Sequence, residues 1–152
     1  MKPRHWLILA VMFMIGTEPR DDSAKKELAK LEGTWVLAAI DKGDGKCPQD
    51  VTTDERFELT IHGNKAKCGQ VEWHKKSEGY LRIDPSRQPK WLDWSFTDTF
   101  KPGETIYKLY ELEGNTLKIC VVTDGWKQEN RPKEFKAADK TASTVSYWEK
   151  KP

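Results

Sequence analysis

Along residues 56–62 apolar and polar side chains take strict turns. Phe57, Leu59 and Ile61 fall on one face, and Arg56, Glu58, Thr60 and His62 on the other. That is the period of a strand with one face in a core and one in water. Leu117, Ile119 and Val121 share a face in the same way, as do Val71 and Trp73. Short stretches rich in β-branched and aromatic residues recur to the C-terminus and predict eight strands: Thr34–Ile40, Arg56–His62, Lys65–His74, Gly79–Asp84, Trp91–Thr97, Glu104–Leu112, Thr116–Val122 and Ser143–Glu149. Ahead of them Asp22 and Ser23 are placed to cap a short helix. In it Ala24, Leu28 and Leu31 recur at helical spacing, and Gly33 ends it.

The connectors decide how the strands are joined. Gly63–Asn64 and Gly114–Asn115 each separate two strand segments, and both residue types tolerate the positive φ of a tight hairpin. Lys101-Pro102-Gly103-Glu104 has proline and glycine where a type II turn wants them. Strands adjacent in sequence are therefore expected to be adjacent in the sheet. Closing the meander removes its exposed edges. The expectation is all-β: an antiparallel, up-and-down, eight-stranded barrel with a short N-terminal helix. Two connections are long, Asp41 to Glu55 and Thr123 to Ala142. Both read as irregular surface excursions, the second with a short strand at Lys133–Phe135.

The N-terminus differs in kind. Lys2 and Arg4 precede the apolar run Trp6 to Ile15, broken by Gly16 and Pro19, the plan of a signal peptide. The run falls short of the roughly 20 residues of a spanning helix. Residues 1–22 are read as leader and short linker, and 23–152 as the barrel domain. Export to the periplasm or beyond follows. No Ala-x-Ala site precedes Thr17, so a tether through an uncleaved leader is the alternative. The chain has 26 basic and 24 acidic residues, and without Lys2 and Arg4 the two counts are equal. No basic face stands out, which argues against a nucleic-acid partner.

Leu31-Glu32-Gly33-Thr34-Trp35 resembles the Gly-x-Trp start of lipocalin-like barrels, in which a tryptophan plugs the closed end. Three further blocks sharpen the likeness: residues 83–93 (Ile83-Asp84-Pro85 through Lys90-Trp91-Leu92-Asp93), residues 109–120 (Leu109-Tyr110-Glu111-Leu112 through Ile119-Cys120), and Arg131-Pro132-Lys133-Glu134-Phe135. Together, over Leu28 to Glu149, they resemble a lipocalin-like domain family of unknown function found in exported bacterial proteins of planctomycete type. The resemblance implies the fold, with Gly33, Trp35, Asp84, Pro85, Arg131 and Pro132 as structural positions. It carries no activity, substrate or catalytic residue.

Nothing in the residues themselves supplies an enzyme. Nucleophile elbow, phosphate loop and His-Glu-x-x-His are all missing from the sequence. Asp84, Asp93 and Glu111 could be neighbours in a barrel, but polar strand positions are first of all solvated ones. His62 lies on a polar face, and His74 has the opposite parity to Val71 and Trp73. With Cys47, Cys68 and Cys120 dispersed, no metal site is expected and no cofactor is implied. The aromatic strands are more suggestive. Trp73, Trp94, Phe96, Tyr107 and Tyr147 are candidates to line a cavity for a small apolar ligand, while solid core filling is the plainer explanation. The alternative role is an envelope-associated module that contacts a protein or polysaccharide through the long connections. Three cysteines leave three disulfide pairings open. In the resembling family the position of Cys120 often has no partner, which favours Cys47 with Cys68.

Overall fold

A computed structural model describes residues 19–45, 49–50, 56–70, 76–98, 101–138 and 142–152. Helix α1 (Pro19–Leu31) leads into β1 (Gly33–Asp41), β2 (Gln49–Asp50), β3 (Phe57–His62), β4 (Lys65–Gln70), β5 (Ser77–Asp84), β6 (Lys90–Phe96), β7 (Thr105–Glu113), β8 (Thr116–Val122) and β9 (Ser143–Lys150). Every pairing is antiparallel, in the order β1-β3-β4-β5-β6-β7-β8-β9. β9 then returns to β1, with Trp35 opposite Lys150 on one side and Leu59 on the other. Eight strands thus close into a barrel. The two residues of β2 attach to β1 at Ala39 and Ile40.

Hairpin geometry follows from two glycines. Gly63 and Gly114 have φ of 57° and 58° and take the first central position of two-residue loops, between His62 and Lys65 and between Glu113 and Thr116. A side chain there would meet the steric cost of left-handed backbone.

Alternation does what the pattern in 56–62 demands. Leu59 and Ile61 point inward and are 2% and 1% exposed. They join Trp35, Leu92, Leu117 and Trp148 in the main core, with Leu31 of α1 over one end. Each such side chain contributes on the order of 1.5–3 kcal/mol by leaving water. The Trp35 indole donates to the carbonyl of Leu31 at 2.8 Å, so one buried ring joins helix to barrel and leaves no orphan donor.

Three expectations are corrected. The helix begins at Pro19, so Asp22 and Ser23 lie inside its first turns rather than capping it, and residues 19–22 are helix rather than linker. Proline is well placed there, since the first turn has no use for its missing N–H. Residues 133–135 form no strand; instead Ala138 bridges Ser143. The second long connection is no free excursion. It runs over the outer wall, where Phe135 and Ala137 cover a second cluster of Leu109, Cys120 and Val145. Val71, Trp73 and His74 lie outside the described residues, as do Cys47 and the leader.

Candidate functional site

β3, β4, β5 and β6 bring Phe57, Cys68, Ser77 and Phe96 to the end of the barrel opposite α1. With Gln70, Trp94 and Lys108 they line a cavity of about 400 Å³. Trp94 and Phe96 stack at 5.4 Å with rings 13° apart. Trp126, from the long connection, meets Phe96 at 5.7 Å. The Trp94 ring fits because residue 79 is glycine, where an added Cβ would stand 2.3 Å from Trp94 Nε1 and 2.2 Å from the Ser95 carbonyl oxygen. That indole N–H is buried and finds no acceptor among the described residues.

Lys108 is the unusual member. On β7 it shares parity with Ile106 and Tyr110, and it pairs across with Leu92, so it enters the barrel. Its ammonium lies 4.9 Å from the centre of the Trp94 ring. No carboxylate among the described residues pairs with it. Burial pushes its pKa below the ordinary lysine value, with only the nearby Cys68 acting the other way. The Cys68 thiol is pushed up by burial and partly restrained by the charges of Lys108 and Lys76. A cation held over an aromatic face and short of an anion can receive a carboxylate or similar head group.

The opposite end is built differently. Glu27 of α1 is 6% exposed. Its carboxylate takes hydrogen bonds from Lys30 at 2.9 Å and from Lys90 of β6, whose ammonium also lies 5.7 Å from the Tyr110 ring. Burial alone would raise the Glu27 pKa, but the bonds and charges of Lys90 and Lys30 outweigh it and hold the carboxyl below its usual range. Burial and the neighbouring Glu27 charge raise the Tyr110 hydroxyl above the normal phenol value.

Outside the wall, Arg131 is wedged between two rings, 4.2 Å from Trp91 and 5.1 Å from Tyr107. It donates to Asp93 and to the Lys108 carbonyl, while Pro132 beside it is buried. Asp84 ends β5 and accepts from Ser86 and Arg87, with Pro85 following. Gly33, with φ of 127°, opens β1. The blocks 83–93 and 131–135 thus converge on one stretch of wall.

Of the proposed lining residues, Trp94 and Phe96 reach the cavity. Trp73 lies outside the described residues. Tyr107 and Tyr147 do not line the interior: Tyr107 holds Arg131, and Tyr147 joins the outer cluster. Their parity opposes that of Lys108 and Trp148, which take the inward positions. Lys108, Glu27 and Lys90 were not anticipated. For the lysines the signal was present, since Lys108 alternates with Ile106 and Tyr110, and Lys90 with Leu92 and Trp94.

Cys68 and Cys120 carry free thiols, which corrects the expected pairing of Cys68 with Cys47: Cys68 faces the barrel interior, opposite Leu59 and Ser77. His62 is exposed and lies 2.9 Å from Glu32. Among the described residues no three His, Cys, Asp or Glu side chains gather to hold a metal. Comparison with known family models, curated proteins and solved structures finds no match. The geometry alone must carry the functional reading.

Proposed function

We propose that this chain is an exported, lipocalin-like binding protein whose open barrel end takes a small apolar molecule with an anionic head. The single observation behind this reading is Lys108, a cation brought inside the barrel with no counter-charge among the described residues. Burying an unpaired charge is costly, and a ligand carboxylate would relieve that cost. Trp94, Phe96 and Phe57 offer the apolar surface for the body of such a ligand. At the opposite end Trp35 and Leu31 of α1 are fully buried.

Titration with decanoate and with the uncharged decanol, followed by tryptophan emission, tests it. Saturable quenching by decanoate that is weakened about tenfold or more in Lys108→Met is the expected result. Native mass spectrometry of exported protein should show a copurified acid. Absence of both signals sinks the proposal, and equal binding of decanoate and decanol removes the role of Lys108. A second reading keeps the connections as the working surface of an envelope module. It draws on Gln128 and Arg131, which border a polar groove on the outer wall.

A further inference from the structure

That groove has a volume of about 360 Å³, at the small end of ordinary ligand sites. It runs along the outer faces of β5, β6 and β7, with Gln128 and Arg131 of the long connection on its border. Its acidic groups are already engaged. Asp93 accepts from Arg131, and Asp84 accepts from Ser86 and Arg87. Its donors are not. Arg131 is only 8% exposed, and its Nε–H has no acceptor among the described residues. Arg82, directly across the strands from Asp93, has no ion pair among the described residues. Ser95 and Thr105 present a hydroxyl pair 2.8 Å apart.

We infer that this groove binds a small polyhydroxylated carboxylate, the chemistry of a uronic acid residue. A planar carboxylate matches the fork of Arg82, which is exposed and has no ion pair among the described residues, and the guanidinium of Arg131 adds positive charge at the border of the groove. Sugar hydroxyls match Gln128 and the Ser95–Thr105 pair, which, bonded to each other, still offer one hydroxyl proton and acceptor lone pairs. Ring stacking plays little part, because guanidinium groups already occupy positions against Trp91 at 4.4 Å and 4.2 Å. The site is separate from the barrel mouth and does not rest on it, and it gives chemical content to the reading as an envelope module.

The test is an NMR titration of the full chain with D-glucuronate, alongside glucose, acetate and sulfate. Glucuronate should shift the Gln128 side-chain amide and the Arg131 Nε–H saturably, and glucose should not. Arg82→Ala should weaken binding about tenfold or more at unchanged melting temperature, while decanoate still quenches at the mouth. Gln128→Ala provides a second variant remote from the core. Tighter binding of a trisaccharide of galacturonate would mark a polymer as the source, and equal binding a free acid. The inference is overturned by the absence of a saturable shift, by unaltered affinity in both variants, or by sulfate or acetate binding as tightly as glucuronate.

Discussion

Lys90 and Lys108 enter the same barrel from neighbouring strands, β6 and β7, and meet opposite conditions. Lys90 reaches Glu27 of the helix and is neutralised there. Lys108 reaches an aromatic face and a thiol, and burial depresses its pKa. Among the described residues the closed end is therefore a finished electrostatic structure, and the mouth is an unfinished one. A partnered interior charge fixes a helix in place, whereas an unpartnered one persists at a cost that function can justify.

The comparison breaks first if the closed end is not the rigid half. Trp35→Ala removes a fully buried ring and should cost about 3–5 kcal/mol, read as a large fall in chemical-denaturation midpoint. An unchanged midpoint would show that the tryptophan is not the plug. Glu27→Gln should cost less, about 1–3 kcal/mol, because Lys90 keeps 30% side-chain exposure and some hydration. It turns Lys90 into a second Lys108, and adding Lys90→Met should recover much of the loss. The acid limb sharpens this. A carboxyl held below its usual value stabilises the fold above the ordinary carboxylate range, and that stability is lost as pH falls through the lowered folded value. Melts from roughly pH 6 to pH 3 should show this slope in the wild type and a shallower one in Glu27→Gln.

Lys108→Met should move stability by no more than about 1 kcal/mol, and upward, since no partner among the described residues is left behind. A clear loss of stability would mean that Lys108 is paired after all. The sign with pH is the same as that of Glu27, in a more alkaline range. Between the lowered folded value and the ordinary lysine value the unfolded chain binds more protons, so wild-type stability rises with pH and the advantage of Lys108→Met shrinks in alkali. The smallest effect is kinetic. Decanoate should slow alkylation of Cys68, which lines the mouth, and leave Cys120 untouched, since that thiol lies under the outer connection near the Glu134 carbonyl and Ser143.

Most of the barrel was legible because its strands are amphipathic and its hairpins carry glycine. Leu59, Ile61, Leu117 and Ile119 went where alternation sends them. The wall under residues 131–138 was less legible for a definite reason. Leu109, Cys120 and Val145 are covered from outside, so β7, β8 and β9 bury apolar groups on both faces and parity no longer separates inside from out. Tyr107 and Tyr147 were misplaced on that account. Lys108 and Glu27 were missed from the other side. A lysine on a strand and a glutamate on a short helix read as solvent-facing residues, although alternation with Ile106 and Tyr110 already turns Lys108 inward; for Glu27 only the approach of β6 supplies the partner that keeps it buried.

The pairing of β1 with β9 also fixes an order of events. The first strand of the barrel finds its last partner only when the final residues of the domain are made, since Trp35 and Val36 face Lys150 and Glu149. Until then β1 presents one row of unsatisfied backbone groups, and β8 lacks the strand that lies between it and β1. Such edges are sticky. Closure is a long-range contact that slows folding and lengthens the exposed interval. A chain shortened by its last strand would therefore be not a slightly weaker barrel but an open ribbon with two free edges, prone to pair with copies of itself.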